Sequence, residues 1–182
     1  MGSPSQQGLF ASDEQRPALQ CNDVEPGSVR FNNAESDEYG DHCIQQALRV
    51  LERRLKQGPC MACPGDVKNY LRLHLAPKDY EVFGVMWLDS QNNLIEFQEM
   101  FRGTVNQTTV IPREVLREAM RLNASNCILS HNHPSGSVTP SAADENLTRT
   151  LKGTLSLIDV RILDHIIVSK FATTSMAEMG IF

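Results

Sequence analysis

Two histidines and an aspartate lie close together in the second half of the chain. His131 and His133 are separated by one residue, and Asp144 follows after ten more. If the chain is extended at the histidines, both imidazoles lie on the same face of a strand. A helix that begins near residue 140 would bring the carboxylate back toward them. Two imidazoles and one carboxylate, with a fourth position left for water, are typical of a catalytic zinc site.

The sequence around these residues predicts the elements that position them. An apolar run indicates a buried strand over 126–131, and a Pro-Ser-Gly run indicates a tight turn after it. A helix is expected at 140–157, because apolar residues follow at helical spacing, namely Leu147, Leu151, Leu155 and Ile158. Taken alone, the spacing of Ser141 and Asp144 is also that of a helix cap with an acid in the first turn.

Helical patterns occur at both ends of the chain. Residues 37–57 have helical periodicity after a capping Ser36. Pro64 begins a second helix, on whose apolar stripe His74 is interpreted as a packed residue rather than a ligand. Near the C-terminus, a capping-box pattern at Ser175 predicts one further helical turn.

The remaining elements complete a single α/β domain. Residues 80–89 and 94–101 predict a β-hairpin, and residues 161–169 predict another buried strand. Pro112 begins a helix whose arginines are interpreted as a solvated face. The order helix, helix, hairpin, helix, strand, helix, strand indicates a mixed β-sheet flanked by helices.

The acidity of the chain is concentrated at its N-terminal end. Residues 1–40 hold two arginines and seven acids, whereas residues 41–182 hold 15 basic and 15 acidic residues. This balance does not favour a general affinity for nucleic acid. We interpret residues 1–36 as a disordered acidic tail, 37–59 as an N-terminal amphipathic helix and 60–182 as the domain itself.

Neither the cysteines nor a targeting signal indicates a function. Five cysteines without regular spacing do not predict a disulfide framework, and the Cys60-x-x-Cys63 pair lacks the second pair of a zinc ribbon. We therefore interpret Cys60 and Cys63 as neither a redox nor a metal site. The sequence shows no apolar run of membrane-spanning length and no signal-peptide pattern, so a cytoplasmic location without a membrane partner is expected.

The histidine segment resembles a known family motif. His131-Asn132-His133-Pro134-Ser135-Gly136, followed by Ser141-x-x-Asp144, is similar to the JAMM motif of MPN+ metalloproteases. Residues 40–182, and 80–169 most closely, resemble the RadC-like branch. Four further segments carry this resemblance: Glu81-Val82-Phe83, Phe101-Arg102-Gly103-Thr104, Pro112-Arg113-Glu114 and Leu163-Asp164-His165. The resemblance implies a single MPN (JAMM) fold.

The resemblance also implies roles for individual residues. His131, His133 and Asp144 match the ligands of one Zn²⁺ per chain. Ser141 matches the serine that donates a hydrogen bond to the developing oxyanion. Glu81 matches the general base that moves a proton from the metal-activated water to the leaving group. These roles imply a zinc metallohydrolase of amide or isopeptide bonds, whose partner is a peptide or protein substrate.

The sequence alone does not decide the roles of three further residues. Glu99 competes with Glu81 for the role of base, because it lies on the alternating apolar face of residues 95–101. Asp164 and His165 either orient the metal ligands or are ordinary strand residues.

Two other functions are alternatives to the hydrolysis of amides. The first is a non-catalytic binding module in DNA transactions or mobile-element biology, with DNA as its partner. Larger RadC-like proteins carry an N-terminal helix-hairpin-helix segment, which the polar residues before 37 do not resemble. The second is a zinc hydrolase of phosphoesters or nucleotides, which would share the metal chemistry.

Overall fold

A computed structural model describes residues 33–103 and 109–181, without the side chains of residues 33–36 and 61. Most of the predicted tail at 1–36 therefore lies outside the described residues. The described helices are α1 (Asn33–Gln57), α2 (Pro64–Leu75), α3 (Pro112–Arg121) and α4 (Ala142–Ser156), and a 3-10 turn, Cys60–Ala62, joins α1 to α2. The described strands are β1 (Val82–Leu88), β2 (Leu94–Arg102), β3 (Asn126–Asn132), β4 (Arg161–Val168) and β5 (Thr173–Ser175). None of these helices has the length and apolar content needed to cross a bilayer.

The five strands form one mixed sheet in the order β2-β1-β3-β4-β5. β1 pairs antiparallel with β2 and with β3, and β5 pairs antiparallel with β4. β3 and β4 are parallel. Parallel neighbours need a crossover connection, which α4 supplies. The predicted hairpin and mixed sheet are confirmed, and the histidine strand β3 lies at the centre of the sheet.

Helices cover both faces of the sheet, which explains why β1 is apolar throughout. Phe83, Val85 and Trp87 share a buried cluster with residues of α3 and α4. Val82 and Met86 point the other way and share a second cluster with α1 and α2. The domain is therefore an α/β structure of three layers, which confirms the predicted arrangement of a sheet flanked by helices.

α1 begins earlier than the sequence indicates. It starts at Asn33, so Ser36 lies within its first turn and does not cap its start. Acidic residues follow Asn33 closely, and negative charge is favourable near a helix N-terminus. The helix therefore extends into the region that we expected to be tail. Three leucines of α1 are buried in the same cluster as α2, namely Leu48, Leu51 and Leu55.

The C-terminal residues differ from the prediction in two ways. Thr173–Ser175 forms an edge strand, β5, that its short polar sequence does not predict. Ser175 Oγ accepts a hydrogen bond from the N–H of Glu178 at 3.0 Å, yet residues 176–180 form turns and no helix. The Glu178 carboxylate pairs with Lys68 of α2 at 2.7 Å, so it does not reach back to complete a capping box.

Candidate metal centre

β3 places both histidines on the face of the sheet that α3 and α4 cover. His131 pairs with Phe83 of β1 and is 2% exposed. The extended pairing continues for one more residue, because the N–H of His133 donates to the carbonyl of Val168 at 2.8 Å. Strand alternation therefore directs the two imidazoles to the same side, and their Nε2 atoms lie 2.9 Å apart.

A tight turn fixes the ring of His133. Gly136 adopts a φ of +90°, which favours glycine, and Pro134 restricts φ at the second position of the turn. The turn brings the carbonyl of Ser137 to 3.1 Å from His133 Nδ1. Since a carbonyl only accepts, neutral His133 carries its proton on Nδ1, and the lone pair of its Nε2 faces the site.

The first turn of α4 orients Asp144. Ser141 is the N-cap residue, and its Oγ accepts a hydrogen bond from the N–H of Asp144 at 3.2 Å. Asp144 Oδ2 accepts hydrogen bonds from both the N–H and the Oγ of Ser141 at 2.7 Å. Oδ1 is left facing His131 Nε2 at 3.3 Å. The capping role that this spacing predicts is confirmed, and it directs a carboxylate oxygen toward the histidines.

His131, His133 and Asp144 form a compact group of ligand atoms. One ligand atom from each residue lies within 4.8 Å of the others, and His133 Nε2 is 3.7 Å from Asp144 Oδ2. Two ligands of a tetrahedral zinc ion, each about 2.0–2.1 Å from the metal, would be about 3.3 Å apart. The observed separations span this value. Within residues 33–103 and 109–181, this is the one cluster of histidine, cysteine and acidic residues that could hold a metal ion.

The electrostatics of the group favour the protonation states that bind metal. Burial acts to raise the pKa of Asp144, but the adjacent His131 and the hydrogen bonds from Ser141 outweigh this effect, so its pKa is lowered. Burial and the neighbouring His131 lower the pKa of His133. At neutral pH the site therefore presents an ionised carboxylate and a neutral imidazole, which are the forms that coordinate a metal.

The group opens into a cleft of about 400 Å³. Glu81 and Ser141 line this cleft together with the three predicted ligands, and apolar side chains complete much of its wall: Phe83, Val110, Pro134 and Leu147. Glu81 directly precedes β1, and its carbonyl accepts a hydrogen bond from the N–H of Gly103 at 2.8 Å. The fold thus brings together the residues for which we predict catalytic and metal-binding roles.

Glu99, the competitor of Glu81, lies outside the lining of this cleft. Its carboxylate pairs with Lys78 at 3.0 Å. The common face expected for residues 95–101 is wrong, because two irregularities in the pairing of β1 with β2 interrupt the alternation. Phe97 accordingly packs with the cluster of α1 and α2, whereas Phe101 packs with that of α3 and α4.

Asn132 has a positioning role that the sequence did not reveal. It lies between the two histidines, so alternation directs its side chain to the opposite face of β3. Its Oδ1 accepts a hydrogen bond from the N–H of Val82 at 2.7 Å, and its Nδ2 donates to the carbonyl of Tyr80 at 3.0 Å. These two partners flank Glu81. Asn132 therefore ties the segment that carries Glu81 to the strand that carries the histidines.

The structure places Asp164 and His165 in different surroundings. The Asp164 carboxylate accepts hydrogen bonds from Ser175 Oγ at 2.6 Å and from the N–H of Ala177 at 3.1 Å, which fixes the C-terminal turn. His165 is fully buried, and its Nε2 lies 2.8 Å from Nδ1 of His131. Burial lowers the pKa of His165 well below its usual value. Of these two described residues, His165 is the one in contact with a predicted ligand.

The fold and the site together define a class of protein: a single α/β domain whose central strand and following helix present a His-His-Asp group that could hold a metal ion. A family model described as "RadC-like JAB domain" matches residues 61–181. The chain belongs to this family, which confirms the resemblance seen in the histidine segment.

Curated relatives from bacteria support the same family membership. The chain is 53% identical over 138 residues to a "UPF0758 protein" of Variovorax paradoxus, a match that covers 76% of this chain and 61% of the relative. A "UPF0758 protein" of Albidiferax ferrireducens is 54% identical over 138 residues, with 76% of this chain and 59% of the relative covered. The chain therefore spans about three fifths of the length of these relatives.

Proposed function

We propose that the protein is a zinc-dependent metallohydrolase of the JAMM type that hydrolyses amide or isopeptide bonds. The observation that carries the proposal is the convergence of His131, His133 and Asp144 on one point of a cleft that Glu81 and Ser141 also line. Two imidazoles and a carboxylate suit zinc, and three protein ligands leave a coordination position for water or substrate.

The residues of the cleft have different roles in the proposed reaction. His131, His133 and Asp144 would hold the zinc ion, which lowers the pKa of water and polarises a carbonyl when it is bound. Glu81 accepts a proton from the attacking water and donates it to the leaving nitrogen. The Ser141 hydroxyl donates to Asp144 Oδ2 in this structure, and it would turn to donate to the oxygen of the scissile carbonyl as negative charge develops there.

The charge of the cleft favours an amide substrate over a phosphoester. None of the described residues that line it is lysine or arginine. A bound zinc ion would offset the charges of Asp144 and Glu81, and no cationic side chain among the described lining residues is then left to neutralise the further negative charge of a phosphoester. An amide is neutral, and the apolar walls offer contact area for the side chains that flank it.

The DNA-binding alternative receives little support from the arginines of α3. On α3, Arg117 pairs with Glu114 at 2.6 Å, and Arg121 pairs with Glu118 at 2.6 Å. These two arginines are therefore engaged in exposed ion pairs. Cations that are already paired with acids release fewer counterions from a phosphate backbone than free ones.

Zinc content and turnover test the proposal together. Elemental analysis after reconstitution should find about one zinc per chain in the wild type and much less in Asp144→Ala. Glu145→Ala is the matched control, because it removes the neighbouring carboxylate of the same helical turn. Equal zinc in wild type and Asp144→Ala would exclude this site.

The zinc-loaded protein is then assayed against a library of peptides and isopeptide-linked conjugates. Cleavage of any amide bond that is lost in Asp144→Ala supports the hydrolase. Absence of turnover across the library would overturn it. Binding to single- or double-stranded DNA at low salt, measured in the same preparation, would instead support the binding module.

A further inference from the structure

A line of buried polar side chains runs beneath His131, on the side away from the cleft. His165 on β4 is 0% exposed and Thr148 on α4 is 5% exposed. His131 Nδ1 lies 2.8 Å from His165 Nε2, and His165 Nδ1 lies 2.6 Å from Thr148 Oγ1. Thr148 Oγ1 lies 2.7 Å from the backbone carbonyl of Asp144. The line therefore begins at one predicted metal ligand and ends at another.

The hydroxyl of Thr148 sets the direction of these hydrogen bonds. It has one proton, and the carbonyl of Asp144 can only accept. Without that proton between them, the two oxygens at 2.7 Å would repel each other. The hydroxyl therefore donates to Asp144, in the i to i−4 pattern common for threonine in helices, and its oxygen accepts from Nδ1–H of His165.

The proton positions then follow along the line to His131. Neutral His165 with its proton on Nδ1 has an acceptor at Nε2, so that atom accepts from Nδ1–H of His131. The remaining nitrogen of His131, Nε2, keeps its lone pair, and this is the atom that faces Asp144 and His133. A metal ion can bind only a nitrogen with a free lone pair.

We propose that Thr148 and His165 are positioning residues that fix His131 in the Nδ1–H tautomer and so keep its Nε2 available to a metal ion. The inference rests on the metal site of the proposed function and is independent of the reaction performed there. His133 is fixed separately by the carbonyl of Ser137. Among the described residues, the partner of His131 Nδ1 is His165 Nε2 and not a backbone carbonyl.

The tautomer can be read directly in the metal-free protein. Two-bond ¹H–¹⁵N correlation spectra of histidine-labelled protein distinguish Nδ1–H from Nε2–H, at about pH 8.5 where ordinary imidazoles are neutral. We expect His131 to be the Nδ1–H tautomer in the wild type and in Thr148→Ser, which keeps the hydroxyl. In Thr148→Val, His165 loses its acceptor, so the proton of His131 should move to Nε2. His133 should stay Nδ1–H in all of them.

Zinc affinity gives a second measurement on the same variants. Loss of a residue that orients a metal ligand typically lowers affinity about 10- to 100-fold, so competition with a chromophoric chelator should show this loss in Thr148→Val and not in Thr148→Ser. Thr150→Val is the matched control, because Thr150 lies on the same helix and its hydroxyl makes the same bond, to the carbonyl of Asn146 at 2.9 Å. Circular dichroism confirms that each variant is folded.

The outcomes separate this inference from the proposed function. An Nε2–H tautomer of His131 in the wild type would overturn the inference without any variant, even if Thr148→Val did not fold. Unchanged tautomer and unchanged zinc affinity in folded Thr148→Val would do the same. If the tautomers and zinc affinities are as expected but the protein cleaves no amide, the inference about Thr148 and His165 stands and the proposed function is wrong.

Discussion

Ser141 and Asp144 are joined by three hydrogen bonds at the start of α4, so that each residue satisfies polar groups of the other. The hydroxyl proton of Ser141 is directed at Asp144 Oδ2 and not into the cleft. Ser141 is therefore a helix cap and a support for a predicted ligand, in addition to its predicted role as an oxyanion donor. These roles can be separated, because a cap requires an acceptor whereas an oxyanion requires a donor.

Two substitutions of Ser141 should distinguish stability from catalysis. Ser141→Ala removes the cap and should lower the free energy of unfolding by about 1 kcal/mol, whereas Ser141→Gly should cost only a few tenths of a kcal/mol, because glycine is tolerated at the N-cap. Neither variant has a side-chain donor, so both should lower kcat by about 100-fold or more. Denaturant unfolding and steady-state kinetics measure the two effects. Wild-type kcat in Ser141→Gly would exclude the hydroxyl from catalysis.

Glu81 should be needed for turnover and not for metal binding. We expect Glu81→Gln to keep its zinc and to lower kcat by about 100- to 10,000-fold, because the amide cannot accept a proton from water. Glu99→Gln is the matched control, since Glu99 pairs with Lys78 outside the cleft. Equal loss of kcat in both variants would argue against Glu81 as the base. Zinc content must be measured in each preparation.

Asn132 should affect turnover through the position of Glu81. Asn132→Ala leaves the buried N–H of Val82 without its side-chain acceptor, which should lower the free energy of unfolding by about 1–3 kcal/mol. It should also lower kcat, while zinc affinity stays close to the wild-type value. Ser130→Ala serves as the control, because it removes another buried hydrogen bond of β3, to the carbonyl of Gly84. A loss of kcat as large in Ser130→Ala would mean that general destabilisation is responsible.

The cysteines should differ strongly in reactivity. Burial raises the pKa of the Cys60 thiol to about 11 and that of Cys127 to about 12, whereas Cys43 and Cys63 are exposed. Since the thiolate is the reactive form, iodoacetamide at about pH 8 should modify Cys43 and Cys63 much faster than Cys60 or Cys127. Peptide mapping after short exposures measures each rate. Equal rates at Cys60 and Cys63 would contradict the buried position of Cys60 and reopen the C-x-x-C pair as a redox site.

The stability of the metal-free protein should fall as the solution becomes mildly acidic. Burial lowers the pKa of His74, whose ring contacts those of Tyr70 and Phe97 at centroid distances of 4.6 and 5.0 Å. Below about pH 6.5 the unfolded state takes up a proton that the folded state resists, so stability is complete above this pH and decreases below it.

The variant His74→Phe tests this contribution of the imidazole. It keeps an aromatic ring between Tyr70 and Phe97, so it should reduce the dependence of the unfolding free energy on pH between about pH 7 and about pH 5. His133 and His165 also have lowered pKa values, so some dependence should remain. Denaturant titrations of both proteins at matched pH measure the difference. Identical slopes would show that His74 does not contribute.

Short-range patterns predicted much of the fold. The alternation of His131 and His133, the cap at Ser141 and the prolines that begin α2 and α3 act within a few residues, so the sequence shows them directly. Features that depend on partners distant in the chain could not be predicted from the sequence. The polar strand β5 exists because it pairs with β4, and the pairing of β2 with β1 contains irregularities that break its alternation.

The same limit applies to the candidate site. The His-x-His spacing and Asp144 could be recognised together because they belong to one strand, one turn and one helix start. The contacts of Asn132 with Tyr80 and Val82, and of His165 with Thr148, join residues far apart in sequence. In the sequence these residues look like ordinary members of strands and a helix, because their partners are brought close only by tertiary packing. The local signal that could have suggested a tertiary role was Asn132 itself, a polar residue between two histidines at the end of a strand predicted to be buried.

Glu81 comes from a different segment of the chain than the three predicted ligands, and this affects how the active fraction of a preparation should be measured. The three predicted ligands come from one continuous strand-turn-helix segment, whereas Glu81 reaches the cleft only after β1 has paired with β3. Bringing distant segments into contact costs more loop-closure entropy than forming local contacts does. A partly folded molecule could thus take up zinc before its base is in place. Metal content alone would overestimate the active fraction, and turnover per zinc is the quantity to compare between batches.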